Sequence, residues 1–149
     1  MYIMQIEGSI SINKDKPTIW NFVSVPDRIV TCLPGLQESS IEGNTIRAKI
    51  KAGIGLIRSS FNVTVMIEEN DTANYHARLS LAGSGASSSF NADVVIDLKD
   101  GADGLPALAY SSDAKIGGPL GSMASQILEG AVQKMVGQIF TCVNEKLKA

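Results

Sequence analysis

Aromatic residues are scarce in this chain of 149 residues: they make up only 5% of it, whereas hydrophobic residues of all kinds make up 44%. The interior must therefore be built mainly from aliphatic side chains, Ala and Met. Any cavity would be lined by side chains that can adapt to the shape of its contents. Metal-ligating residues are also few, because the chain has one histidine, His76, and two cysteines, Cys32 and Cys142. These offer none of the usual ligand spacings. We therefore expect no tightly bound transition metal and no cofactor.

An excess of basic charge is missing as well. The net charge of −2 and the isoelectric point near 5.3 leave no electrostatic footprint for nucleic acid, and no run of basic residues marks a membrane-surface patch. The longest uncharged stretch, between Ile116 and Glu129, is too short and too polar to span a membrane. Residues 1–12 alternate instead of forming the apolar block of a signal peptide. We predict a cytoplasmic protein without a nucleic-acid partner.

The two cysteines could form a disulfide. In a chain without an export signal, however, two cysteines are more often free, buried thiols. We therefore predict that Cys32 and Cys142 are not bonded to each other.

Groups arranged for catalysis are equally hard to find. His76 falls on the polar face of a predicted strand, with no nucleophile in a recognisable motif near it, so we expect a solvated surface residue. Asp93 and Asp97 resemble a carboxylate pair, but a solvated strand face explains them better. The glycine pairs at 53–55 and 83–85 lack the further residues of a nucleotide-binding loop. We predict a non-enzymatic protein without catalytic residues.

Alternation of apolar and polar residues predicts seven strands. The first, around residues 5–12, precedes two short helices, one from Pro17 to Val23 and one turn from Pro26 to Val30. The other six strands are predicted at 36–41, 45–52, 57–68, 75–81, 90–98 and 107–116. Short turns between consecutive strands favour antiparallel pairing, because parallel pairing needs long crossovers. Glycines at several corners would let this sheet bend.

The last thirty or so residues predict one long amphipathic helix from Pro119 to Lys148. Apolar residues recur there in adjacent pairs four apart, and Pro suits the first helical position. Because four exceeds the 3.6 residues of a turn, the apolar stripe rotates along the helix and requires a curved partner. The predicted class is α+β: a helix-grip fold in one domain, residues 1–149, with a curved antiparallel seven-stranded sheet wrapped around this helix.

The order of these elements resembles a known family. A Trp-containing helix follows the first strand, and then come the Leu33-Pro34-Gly35 turn, the Gly53-Ile54-Gly55 corner and Gly117-Gly118-Pro119-Leu120 before the last helix. Together they resemble the CoxG-like family, named after the G subunit of carbon monoxide dehydrogenase, within the START and polyketide-cyclase superfamily that includes birch-pollen allergens. The resemblance covers essentially the whole chain.

The resemblance implies a hydrophobic cavity between the sheet and the last helix. In CoxG proteins this cavity is associated with a quinone or similar lipid, and with serving a molybdenum-dependent carbon monoxide dehydrogenase. A C-terminal tail beyond the helix commonly anchors such proteins to the membrane. The expected partners are thus a hydrophobic small molecule or lipid and a carbon monoxide dehydrogenase-type complex, while peripheral contact with a membrane is left open.

Candidate ligand-binding residues are those expected to face the cavity. The wall would comprise Phe61, Val63, Leu79, Leu81, Phe90, Met123, Ile127 and Ala131. Tyr110 and Ser112 would supply hydrogen bonds to the ligand, and Phe22, Leu33 and Pro34 would lie at the entrance of the cavity. The same residues could simply fill a packed core, in which case the protein would act as an assembly factor through its surface. A cyclase-like enzyme is a third alternative, with Tyr110 as a weak acid.

Overall fold

The fold is a seven-stranded antiparallel sheet with a long C-terminal helix, as the sequence predicts. The computed structural model describes residues 2–148. Its strands are β1 (Tyr2–Ser11), β2 (Leu36–Glu42), β3 (Thr45–Ile54), β4 (Ile57–Asp71), β5 (His76–Gly85), β6 (Ser88–Asp100) and β7 (Pro106–Gly117). The strands follow one another in space from β2 to β7, and β1 then pairs with β7 at the far edge. Neighbouring strands are antiparallel throughout.

Two short helices separate β1 from β2, again as predicted. They are α1 (Lys16–Val23) and α2 (Pro26–Ile29), and a 3-10 turn (Val30–Cys32) follows. Each of the two helices has a proline in its first turn, where the missing N–H costs no hydrogen bond. Ile19 and Trp20 of α1 are buried under the sheet, and the indole N–H of Trp20 donates to Asn70 Oδ1 of β4 at 3.1 Å. The helices thereby cover one end of the sheet's inner face.

The C-terminal helix starts later than predicted. Residues Pro119–Ser122 form a separate 3-10 turn, Met123 is extended, and the helix itself, α3, runs Ser125–Lys148. The turn is held by Leu120, which is 2% exposed and whose backbone N–H donates to Ser88 Oγ at 3.0 Å. This anchoring of Leu120 to the sheet prevents the chain from continuing the helix backwards. The repeat of apolar residues therefore runs through both the 3-10 turn and α3, and it does not mark where the helix begins.

The prediction of free thiols is wrong. Cys32 and Cys142 form a disulfide across 110 residues of sequence, with their Cα atoms 5.5 Å apart. The bond joins the 3-10 turn after α2 to the last third of α3. Helix periodicity and strand alternation act over a few residues, so they could not reveal that these two elements meet.

Most buried apolar residues fall into two separate clusters, while Ile46, Ala48 and Ile50 of β3 and Val30 are buried outside both. The first, near α1 and the end of α3, contains Ile12, Ile19, Trp20, Cys32, Ala77, Leu98, Leu108, Val143 and Leu147. The second, near the start of α3, contains Met4, Ile54, Phe61, Ala114, Ile116, Leu120 and Leu128. We call them the α1 cluster and the Leu120 cluster. They hold the two ends of α3 against the sheet.

Candidate functional site

Within residues 2–148, the inner face of the sheet carries no charged side chain except Asp100 at the end of β6, which pairs with Lys16 of α1 at 2.9 Å. The strand registers place most apolar residues of the strands on this face, and the other charged residues of the strands on the opposite face. The polar exceptions on the inner face are a few uncharged side chains such as Ser88, Tyr110 and Ser112. Most of the predicted wall residues share this face, namely Phe61, Val63, Leu79, Leu81, Phe90, Tyr110 and Ser112.

A band of inward-facing residues lies between the two clusters and is only half-buried. Leu79 and Leu81 of β5 and Val94 of β6 belong to neither cluster and do not pack against one. The helix shows the same gap, because Leu128 and Val143 are buried whereas no residue from 129 to 142 is. In the middle of the molecule, apolar side chains of the sheet and of α3, among them Leu79, Leu81 and Met135, are therefore only half-buried.

Three aromatic rings of the inner face lie over glycines of adjacent strands. A Cβ atom added to Gly8 would lie 2.5 Å from the Tyr110 hydroxyl oxygen, one added to Gly85 would lie 2.6 Å from Phe61, and one added to Gly83 would collide with the Phe90 ring. Gly8 faces Tyr110, and Gly83 faces Phe90, directly across the strand pairs. Each of the three rings thus approaches the backbone of a neighbouring strand where a side chain is missing. The Tyr110 ring also contacts Phe140 of α3, with the ring centroids 5.4 Å apart.

Two hydroxyls are available beside this band. Tyr110 and Ser112 are successive inward residues of β7, and Ser112 faces Ile6 on one side and Val94 on the other. No hydrogen bond joins either hydroxyl to another group of residues 2–148, while every fully buried side-chain nitrogen or oxygen there has a partner. The hydroxyl oxygens are therefore not fully buried. They can each donate one hydrogen bond and accept others.

The predicted residues of the last helix and of the mouth lie at opposite ends. Met123 and Ala131 pack against the Leu120 cluster, and Ile127 beside them is 49% exposed. Phe22 packs against the α1 cluster, and Leu33 and Pro34 follow the disulfide-bonded Cys32 at that same end. The structure therefore does not gather the predicted set in one place. The half-buried stretch of α3, which includes Met135 and Val136, lies between them and was missed, although its apolar pairs were visible in the sequence.

His76 lies on the outer face, as predicted, but it is not simply solvated. Its Nδ1 is 2.6 Å from Asp97 Oδ1 and its Nε2 is 3.3 Å from Glu69 Oε1, and about one third of the side chain is exposed. The hydrogen bond to Asp97 raises the pKa of His76, helped by the nearby charges of Glu69 and Asp71 and opposed by partial burial. No serine or cysteine belongs to this cluster, so it has the form of a charge network and not of a nucleophilic site.

The match that identifies the family covers nearly the whole sequence. Residues 8–148 match the profile of the family described as CoxG, the G subunit of carbon monoxide dehydrogenase. This chain belongs to the CoxG family. A search of curated proteins finds no match to the sequence. No helix within residues 2–148 is long and apolar enough to cross a membrane.

Several solved structures share the fold of this CoxG-family protein. A conserved protein from Geobacillus kaustophilus superposes with a TM-score of 0.88 at 21% identity, covering 97% of this chain and 95% of that chain. A START superfamily protein from Mycobacterium smegmatis has a TM-score of 0.71 at 10% identity, with 97% of each chain covered. The Zhui aromatase/cyclase from Streptomyces sp. R1128 has a TM-score of 0.66 at 9% identity, covering 99% of this chain and 94% of that chain. At these identities the similarity establishes the fold alone.

Proposed function

We propose that this CoxG-family protein is a non-enzymatic carrier of an uncharged hydrophobic ligand, held between the sheet and the middle of α3. A quinone or another isoprenoid lipid fits this description, and the protein would serve a carbon monoxide dehydrogenase-type enzyme. The observation that carries the proposal is the half-buried apolar band between the two core clusters. Covering it with a ligand would bury apolar surface at ~25 cal/mol per Å² before ordering costs are subtracted.

The chemistry of the inner face supports an uncharged ligand. With no cationic side chain on that face, a carboxylate or phosphate placed under α3 would lose its hydration without gaining a partner. The hydroxyls of Tyr110 and Ser112 can instead donate to a neutral oxygen such as a carbonyl. One or two hydrogen bonds from an otherwise apolar wall are the usual means of orienting such a ligand.

The same face argues against an enzyme. Within residues 2–148, Tyr110 is the only ionisable side chain that the strand registers place inward beside the band, whereas general acid–base catalysis needs groups positioned to give and take the proton of a substrate. A surface-acting assembly factor with a filled interior is the main alternative. Extraction of the purified protein with organic solvent separates the two, because a carrier is expected to release a stoichiometric neutral lipid and an assembly factor is not.

A substitution on α3 tests the location of the ligand. Ala131 is partly buried and begins the half-buried stretch of the helix. We expect Ala131→Trp to abolish binding of a fluorescent quinone analogue, because the indole ring would fill the space under the helix. Gln133→Trp, which adds the same ring to an exposed position of the same helix, is the control and should bind normally. Unchanged binding by Ala131→Trp in a protein with a normal circular dichroism spectrum would refute the site.

A further inference from the structure

The two edges of the sheet differ in how well they are protected from further pairing. The edge strand β2 is short, its pairing with β3 shifts between Leu36 and Glu38, and it carries a second acidic residue, Glu42. The opposite edge strand, β1, pairs with β7 without a break from Tyr2 to Ser11, and Glu7 is its only charged residue. Bulges, charges and short length are the usual means of preventing an edge strand from pairing. β1 has almost none of them.

The free side of β1 is not occupied by another element. Within residues 2–148, β7 is the only strand that pairs with β1, and no backbone hydrogen bond reaches residues 3–10 from elsewhere. Since alternate residues of an antiparallel strand direct their N–H and C=O groups away from the partner, a row of backbone groups is available along this edge. Ile6 is only half-buried although it faces inwards, and Ile3 on the outer face is 64% exposed. An added strand would cover both.

The residue pattern of β1 fits an antiparallel copy of itself. Its even-numbered residues face inwards, and its odd-numbered residues are exposed on the outer face. If two copies pair around a two-fold axis at Ile6, every residue faces a residue from the same side of the sheet. Inside, Ile6 faces its own equivalent, Met4 faces Gly8 of the other copy, and Tyr2 faces Ile10 of the other copy. Apolar positions thus meet apolar positions.

The single charge of β1 selects the same alignment. With the axis at Ile6, Glu7 faces Gln5 of the other copy, and an amide can donate a hydrogen bond to a carboxylate. An axis at Glu7 would instead place two carboxylates directly opposite each other, which is destabilising. An axis at Gln5 would pair only residues 2–8 of each strand, whereas the axis at Ile6 pairs residues 2–10.

We propose that two copies of this chain form a two-fold symmetric dimer, in which the β1 strands pair antiparallel around Ile6 and join the two sheets into one. Two-fold dimers are the commonest closed assemblies, and their interface must be complementary to itself. β1 meets this condition in its alternation, its apolar inner residues and the position of its charge. The proposal does not depend on whether a ligand binds under α3.

Sedimentation velocity over a range of concentrations tests the proposal on the full chain. We expect the wild type to dimerise. Gln5→Glu should raise the dissociation constant about fivefold, because by symmetry it places a carboxylate opposite Glu7 twice. Gln5→Lys should lower the constant by a similar factor, and the double variant Gln5→Glu, Glu7→Lys should restore dimerisation. Because Gln5 also faces Asp113 of its own copy, circular dichroism checks that each variant keeps its fold.

Matched controls lie on the other edge strand. Ser40 of β2 is exposed, so Ser40→Glu and Ser40→Lys add the same charges far from β1 and should dimerise like the wild type. The proposal is overturned if the wild type stays monomeric up to about 1 mM, or if Gln5→Glu and Gln5→Lys have equal dissociation constants. It is also overturned if the Ser40 variants lose as much affinity as Gln5→Glu, or if the double variant dissociates as readily as Gln5→Glu.

Discussion

At the scale of single residues, His76 shows how the outer face differs from a merely solvated surface. It lies between Asp97 of β6 and two acidic residues of β4, Glu69 and Asp71, and Arg78 is the other charged residue nearby on its own strand. The acidic neighbours favour the imidazolium form, and so the pKa of His76 is raised above its ordinary value of 6.5. A proton held more tightly in the folded state makes stability depend on pH.

The sign of that dependence follows from the raised pKa. The extra stability is fully present below the pKa of His76 in the unfolded chain and is lost as the pH rises through the pKa in the folded protein. We expect the wild type to be more stable than His76→Gln at about pH 6, and the difference to shrink towards about pH 9. Urea unfolding of both proteins at several pH values measures it. A difference that stays constant, or that grows with pH, would contradict this account.

At Gly8 the addition of a single methyl group is expected to change stability, because the Tyr110 ring occupies the place where a side chain would be. Gly8→Ala should destabilise the protein by ~1–3 kcal/mol, since the ring must move or the strands must separate. Gly130→Ala adds the same methyl group to a helical site with no atom within 4 Å. It should stabilise by about 1 kcal/mol through helix propensity. Urea unfolding of the two variants should thus give opposite signs, and a neutral Gly8→Ala would show that the ring is not held there.

At the scale of elements, the strands were predictable and the ends of the last helix were not. Alternation over a few residues is a local property, so β3 and β6 appear in the sequence nearly as they are in the structure. The break before Ser125 depends on Leu120 and Ser88, which are 32 residues apart. Even the turn between β5 and β6 contradicts local preference, because Ala86 and Ser87 both have positive φ angles where glycine is favoured.

The disulfide is the strongest link between elements that the sequence does not indicate. It ties the turn after α2 to α3, and closing a loop of this length restricts the unfolded chain strongly. We expect reduction to lower the free energy of unfolding by ~2–5 kcal/mol. Thermal unfolding with and without a reductant measures the effect, and intact mass spectrometry confirms the bond. The double variant Cys32→Ala, Cys142→Ala should be insensitive to the reductant; equal sensitivity would assign the loss to another cause.

At the scale of the whole molecule, the two core clusters determine what the protein can do. Each holds one end of α3, and the apolar middle of the helix faces an apolar band of sheet that neither cluster fills. The chain has few large aromatic side chains, and three of those on the inner face lie against glycines of neighbouring strands. The candidate site thus arises from how the residues are distributed, and not from a motif.

The distribution of charge over the molecule likewise depends on how the strands pair. The inner face is uncharged except for Asp100 at the end of β6, and the outer face separates the basic residues of β3 and β4 from acidic residues such as Asp93 and Asp113, which face each other on β6 and β7. Along the sequence these charges alternate with apolar residues, and the totals nearly cancel. Only pairing of the strands places like charges side by side.

The sequence by itself determined the number and order of the strands and the long final helix, because their periods are local properties of the chain. The order of those elements and a few turns also sufficed to recognise the family. Tertiary structure alone decided that Cys32 meets Cys142, that Tyr110 lies on Gly8, and that the two ends of α3 are buried while its middle is not. These features join residues a hundred or more positions apart, and no short-range pattern carries information about such distances.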